Sequence, residues 1–330
     1  MAKSLDQIRA EEQRKKGGKI NTAKSENRSN SSANGSSKKP DNDAVTLSLG
    51  EIALSWLRTV GGAFAMVMVL NGVLIASFVV PTGSMEGTVM TGDFLFVNKF
   101  IYGPSTPQMI PILNIPLPYY RFPGIREPKK GDVIVFIFPG NRDEAKPAEF
   151  QYYLKRCVAT SGDTLTIRNK QIYINGVASP LPPDGRVSNF IAGADSDDQY
   201  RTFPIGLNFT RDNYGPIRIP KKGDVVQLTL SNLAQWDTFI RREGHEVTTN
   251  GEQVMIDGKA ATSYTVQRDY CFGMGDNRDN SLDSRYWGFV PVQDVVGTPL
   301  IVYWSWDTNL LVFVDKFKTL RPERFGKVIN

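Results

Sequence analysis

Three short segments of this 330-residue chain carry side chains whose types and spacing could do chemistry. The first is Pro81-Thr82-Gly83-Ser84-Met85, a hydroxyl in a Pro/Gly turn, where a serine reads equally well as an ordinary turn residue. The G-x-S-x-G nucleophile elbow is absent, and so is the S-x-x-K pattern, because Gly87 stands three residues after Ser84. The second segment is QYYLKRCVATSGDTL, residues 151–165. Strand alternation puts Tyr153, Lys155 and Cys157 on one face and Leu154 and Arg156 on the other. A lysine among such apolar neighbours is unusual, although one snorkelling from an edge strand would need no function. Burial disfavours an ammonium ion. A pKa lowered by about three units costs about 4 kcal/mol and yields a neutral amine near neutral pH. That amine can take the proton of a serine hydroxyl. The third segment, GMGDNRDNSLDSRYWGFVP at 273–291, packs three Asp, two Arg, two Asn and two Ser into nineteen residues. Such density reads as a loop ordered by ion pairs and side-chain caps, and its spacing does not fit a calcium-binding loop.

Several other chemistries are excluded by scarcity. His245 is the only histidine, so a Ser-His-Asp triad would have to use it, and an HExxH-type zinc site is impossible. His245 stands in the polar stretch REGHEV and reads as a surface residue. Cys157 and Cys271 are too few for a disulfide scaffold or a tetrahedral zinc site, and whether they pair is open. No metal or organic cofactor is implied. The net charge of +5 is modest, and residues 1–50 hold ten Lys/Arg against six Asp/Glu. No aromatic residues interleave with those charges, which argues against nucleic acid as a partner.

The elements that must position these segments follow from the pattern along the chain. Residues 1–50 form a basic tail whose Ser/Asn/Lys-rich stretch, 20–44, buries too little to order itself. Residues 51–80 form a juxtamembrane segment and then an uncharged apolar run from Val60 to Val80, long enough for one transmembrane helix. A positive excess ahead of it, Arg9 to Arg58, predicts a cytoplasmic N-terminus, with everything after Pro81 on the outer face of the cell membrane. Beyond Pro81, short β-branched and aromatic runs alternate with Gly, Pro and Asn-Gly turns, so the fold class is mainly β. The hexapeptide PKKGDV at 128–133 recurs at 220–225, and NKQIYINGVA (169–178) is echoed by GEQVMIDGKA (251–260). This suggests a duplicated hairpin. It divides the rest into an N-terminal stretch of the catalytic core (81–176), an inserted β subdomain (177–268), and a C-terminal stretch of the core with a tail (269–330).

Taken together, Pro81–Met85 with GDFLFVNKF after it, GDVIVF (131–136), YLKRCVATSGD (153–163) and GDNRDNSLDSRYWGFVP (275–291) resemble the bacterial type I signal peptidases, or leader peptidases. They stand in that family's order behind an N-terminal anchor, and the resemblance covers about residues 56–176 and 269–300. It implies a core of two antiparallel β-sheets on a single transmembrane helix. It also implies a serine endopeptidase that removes signal peptides after small residues, in an Ala-x-Ala pattern. By resemblance Ser84 is the nucleophile and Lys155 the general base. Thr82, where the family often has serine, helps the oxyanion, and Ser281 orients the lysine. Asp283 with Arg285, and Asp276 with Arg156, are supporting ion pairs. Phe78, Val80, Met85, Val89, Leu95, Val135, Tyr153 and Leu154 line the substrate pockets. The implied partners are signal peptides of secretory precursors and the lipid bilayer, with the secretion translocase close by. A catalytically silent tethered β-domain and a self-cleaving repressor-type Ser/Lys protease are the alternatives, and the second fits poorly with a membrane span.

Overall fold

A computed structural model describes residues 48–73, 75–106, 109–110, 115–116, 120–191 and 201–329. The tail expected to be disordered lies, up to residue 47, outside the described residues. Helix α1, Leu49–Val73, starts at a reciprocal cap: Glu51 N–H donates to Ser48 Oγ at 3.2 Å, and Ser48 N–H to Glu51 Oε2 at 2.8 Å. It stops short of the Val80 limit expected for a membrane span. Ile75–Val79 is instead strand β1, because this run is rich in β-branched and aromatic residues and pairs in register with 94–98. Among the described residues no helix is long and apolar enough to cross a membrane.

The remaining strands are β2 (Asp93–Asn98), β3 (Val133–Ile137), β4 (Tyr152–Thr160), β5 (Thr164–Arg168), β6 (Gln171–Ile174), β7 (Val177–Ser179), β8 (Tyr214–Arg218) and β9 (Val225–Gln227). After helix α2 (Leu233–Arg242) come β10 (Val247–Thr249), β11 (Val254–Ile256), β12 (Lys259–Ala260), β13 (Ser263–Thr265) and β14 (Tyr270–Met274). Helix α3 (Ser284–Trp287), β15 (Val290–Pro291), β16 (Val295–Ser305) and helix α4 (Phe313–Lys318) follow. The main sheet has seven strands in the order β1-β2-β16-β3-β4-β14-β15, and a second has four in the order β8-β5-β6-β7. The fold is mainly β with antiparallel pairing. It differs from a core of two sheets: β10-β11-β12, β9-β13 and a ribbon of 109–110 with 115–116 form three further small ones. β10, β11 and β12 pair with one another through tight turns and so form a sheet of their own.

The two sequence repeats adopt matching local structures. In each PKKGDV copy the glycine, Gly131 or Gly223, has positive φ, and the aspartate caps the turn. Asp132 accepts from Lys129 N–H at 2.8 Å and Asp224 from Lys221 N–H at 3.1 Å. Each aspartate also pairs with the arginine six residues earlier, Arg126 or Arg218. Asn175-Gly176 and Asp257-Gly258 both close two-residue hairpins with positive φ at both positions, the geometry that favours Asn/Asp-Gly.

The insert boundary at 176/177 does not mark a separate subdomain. It cuts the four-stranded sheet, since β7 pairs with β6 and β8 with β5. One apolar cluster joins Leu165 and Ile174 to Tyr214, Phe239 and Val254 of the insert and to Phe272 and Phe289. Everything described from Ser55 onward forms one compact unit.

The C-terminal segment closes the main sheet. Val328 bridges to Ile301, and Ile329 is buried in the cluster that holds Val80, Met85 and Leu95. Arg324 anchors it by pairing with the fully buried Asp93, Nε to Oδ1 at 2.8 Å. Asp93 also accepts from Ser305 Oγ at 2.7 Å and from Met90 N–H at 2.7 Å. Removing one partner of a buried pair leaves a charge without compensation. Arg324→Ala is therefore expected to cost about 3–5 kcal/mol in urea unfolding of the full chain; a loss under about 1 kcal/mol would show that the segment is held by packing alone.

Candidate active site

Ser84 sits in the single 3-10 turn Gly83–Met85 between β1 and β2 and is buried. The third sequence segment grips this turn through its backbone: Asn277 N–H donates to Ser84 C=O at 3.1 Å, and Asn277 Nδ2 to Gly83 C=O at 3.2 Å. That approach requires Gly275. A Cβ there would lie 2.4 Å from the Ser84 carbonyl oxygen and 2.3 Å from Ser281 Oγ.

Lys155 projects from β4, which runs between β3 and β14, and only 4% of it is exposed. Its Nζ lies 2.6 Å from Ser84 Oγ and 5.8 Å from the centre of the Tyr153 ring. Burial pushes its pKa down to about 8, with Arg285 acting in the same direction and Asp283 and Asp276 opposing. Thr82 Oγ1 lies 3.5 Å from Ser84 Oγ.

Two buried ion pairs brace this centre. Arg156 grips Asp276 bidentately at 2.8 and 2.7 Å, and Thr88 Oγ1 donates to the same carboxylate at 2.6 Å. Arg285 grips Asp283 at 2.8 Å through both nitrogens. Burial alone would raise the Asp283 carboxyl, but Arg285 holds it below the usual carboxylate range. Asp283 also accepts from Gly275 N–H at 3.2 Å, and so ties the ion pair to the glycine beside Ser84.

Above the Ser84–Lys155 contact lies a cleft of about 680 Å³. Of the expected pocket residues it is lined by Phe78, Val80, Met85, Leu95, Tyr153 and Leu154. Val89 and Val135 do not line it. They are buried in the apolar cluster with Val80, Met85 and Leu95, because their short branched side chains pack below the cleft floor.

The sequence profile described as "Signal peptidase, peptidase S26" matches residues 53–304. A signal peptidase I from Helicobacter pylori is 30% identical over 271 residues, covering 79% of this chain and 84% of that one. Another, from Pseudomonas aeruginosa, is 29% identical over 252 residues, covering 73% and 69%. The chain belongs to the signal peptidase I family. It is a hydrolase of the kind that removes signal peptides.

Other features of this signal peptidase lie away from Ser84. His245 is partly buried rather than freely exposed: Nδ1 pairs with Asp257 Oδ2 at 2.7 Å, and its ring packs edge-on against Tyr264. Cys157 and Cys271 are free thiols buried on neighbouring strands. Ser281, expected beside the lysine, packs against Gly275, and its buried hydroxyl has no hydrogen-bond partner among the described residues. The cleft also uses Gln151, Tyr152, Asn280 and Leu282, which sequence reasoning did not name. Asn280 and Leu282 stand inside the 275–291 motif and could have been found there. Tyr152 shares the strand face of Leu154, and its ring meets Phe78 edge-on at 5.0 Å.

The close approach at Gly275 gives a sharp test. Gly275→Ala is expected to lower precursor cleavage by at least about 100-fold, because it displaces the Ser84 turn by a sizeable fraction of an ångström. Circular dichroism should stay native-like; near-wild-type cleavage would show that the turn yields freely.

Proposed function

We propose that Ser84 and Lys155 form a catalytic dyad that cleaves the signal peptide from exported precursors through an acyl-enzyme. The observation that carries this reading is the 2.6 Å contact between Lys155 Nζ and Ser84 Oγ in a buried site. Neutral Lys155 accepts the Ser84 proton as Oγ attacks the scissile carbonyl carbon, and the resulting ammonium protonates the departing amine. A water molecule then gives a proton to Lys155 and attacks the ester carbonyl carbon. As the adduct collapses, the Lys155 ammonium returns that proton to Ser84 Oγ, which frees the serine and the neutral amine. The Ser84 N–H and the Thr82 hydroxyl are the proposed oxyanion donors, the latter tightening from its resting position as substrate binds. Ser281 is proposed to turn its unpartnered hydroxyl toward the Lys155 amine. The Asp276–Arg156 and Asp283–Arg285 pairs are proposed to hold Ser84, Gly275 and Lys155 in place.

Two strand edges support a reading of how the precursor binds. β1 is the outermost strand of the main sheet, and β14 pairs with β4 only from Arg156 onward. An extended peptide laid between β1 and the Tyr153–Lys155 stretch would add main-chain hydrogen bonds and bring its carbonyl to Ser84. The apolar floor of Phe78, Leu95 and Leu154 suits small side chains at the −1 and −3 positions.

Ser84→Ala and Lys155→Ala are each expected to lower kcat by at least about 1,000-fold while the protein stays folded. Lys155→Arg should match them, since a guanidinium holds its proton at usable pH. His245→Ala should cleave at nearly the wild-type rate. The wild-type rate should rise with pH through about 8, as Lys155 loses its proton, and hold above it. An active Lys155→Arg variant, or a rate already flat from pH 6, would refute the lysine base.

Although no described helix is long and apolar enough on its own to cross a membrane, we also propose that α1 is the core of a single-pass anchor in the cell membrane, with the catalytic unit on the outer face. The support is the apolar surface this helix leaves exposed, including Trp56, Leu57, Val60, Phe64 and Met66. After carbonate extraction the full chain should stay with the membranes. External protease should digest residues after Pro81 and spare an epitope in 1–45; release by carbonate or the reverse pattern would overturn the topology.

A further inference from the structure

Charge matching around the third segment leaves Arg278 over. Arg156 is matched by Asp276 and Arg285 by Asp283, while Asp279 is taken by Lys170 at 2.5 Å. Arg278, in the middle of the same segment, is only 6% exposed, and its guanidinium makes no hydrogen bond or ion pair among the described residues. Its main chain is fully used: the N–H donates to Arg186 C=O at 2.9 Å, and the C=O accepts from Arg285 Nη2 at 2.7 Å. The residue is therefore held firmly while its charged end has nothing to bind. An arginine so placed pays desolvation without return, and burial pushes its pKa down to about 10 with Arg285 adding to the effect.

Arg278 lines a cavity of about 290 Å³ that is separate from the Ser84 cleft. Its other walls include Asn169, Lys170, Gln171 and Ser188, which together supply amide, ammonium and hydroxyl groups. Lys170 Nζ donates to Ser188 Oγ at 3.0 Å and is paired with Asp279, so its charge is matched within the wall. Val187, partly exposed, also lines it. Lys170 is already held by Asp279 and lies 3.9 Å from Asp212, and Gln171 Nε2 donates to Ile172 C=O and Ser179 C=O. The group left to grip a ligand is the Arg278 fork, which is complementary to an oxyanion.

We propose that this cavity is a binding site for an oxyanion, a carboxylate or phosphate group gripped by the Arg278 fork. The anion pairs the unmatched cation of the segment that holds Ser84 through Asn277, so occupancy stabilises the region next to the catalytic serine. The group comes either from an acidic side chain in the precursor or from a free anion.

The test uses the full chain in detergent, with inorganic phosphate as probe against sodium chloride at equal ionic strength. Phosphate should raise Tm saturably, by about 3 °C at ten times its Kd. The rise should persist in Arg278→Lys and vanish in Arg278→Gln and in Val187→Trp, which fills the cavity and leaves the arginine in place. A generic salting effect would appear in all four proteins alike, and that outcome, or no saturable rise in the wild type, overturns the proposal. Cleavage of two precursors, with Asp or Asn just after the cleavage point, distinguishes the sources. Phosphate raising KM for the Asp precursor alone assigns the site to the substrate carboxylate, and equal KM values assign it to the free anion. Because Tm is read without catalysis, this test stands apart from that of the Ser84–Lys155 dyad.

Discussion

The burial of one amine governs much of this structure. Lys155 lies 2.6 Å from Ser84 and almost out of contact with water, and that dryness sets its pKa near 8. An ammonium in water would hold its proton too tightly to act as a base near neutrality. The burial is maintained by the strands on both sides of β4: β3 pairs along its first half and β14 along its second. Gly273 on β14 comes so close that a Cβ there would touch Lys155 Cβ at 3.1 Å. The sheet is thus both scaffold and solvent shield.

A dry lysine creates a problem of charge, which the 275–285 segment addresses. Asp276 and Asp283 draw the proton back toward Lys155, while Arg285 pushes it away. Both carboxylates are satisfied by their own arginines, so neither forms a direct ion pair with the amine, which would have raised its pKa. The same two pairs hold backbone as well as charge. Asp283 takes the Gly275 N–H, and the Asp276 C=O accepts from Arg186 N–H at 2.8 Å. Electrostatic tuning and mechanical bracing of the serine turn therefore come from one set of side chains.

The chemistry was more legible in the sequence than the architecture was. Ser84 and Lys155 could be named only through the resemblance carried by the three motifs: a serine in a Pro/Gly turn and a lysine on an apolar strand are each ambiguous alone, and the single histidine, His245, only narrows the alternatives. The antiparallel β character followed from turn residues such as Asn175-Gly176 and Asp257-Gly258, whose backbone preference is local. The end of α1 was not legible, since Ile75–Val79 is as apolar as the helix before it. Only pairing with β2, a long-range event, makes it a strand. The insert boundary failed for a similar reason: β8 returns to pair with β5 across about 45 residues, which no local signal announces. Val89 and Val135 illustrate a third limit, because a resemblance can place a side chain near a pocket without deciding whether it forms the wall or the layer beneath.

The depressed lysine pKa also links activity to stability. Below pH about 8 Lys155 is protonated in both the folded and unfolded chain, and the folded state bears the full cost of a buried charge, about 3 kcal/mol. Between about 8 and the ordinary lysine value of 10.5 the unfolded chain binds more protons than the native one. In that window this group's contribution to stability rises with pH, as does the fraction of neutral amine. Asp283 works in the opposite direction from the acid side. Its lowered folded pKa contributes stability above the unfolded carboxylate value, and that contribution is lost as pH falls. The buried site is thus weakest in acid, where the carboxylates lose their charge and the lysine cannot lose its own. It is most stable where the amine is neutral, so the protonation state proposed for the lysine base is also the one the fold favours.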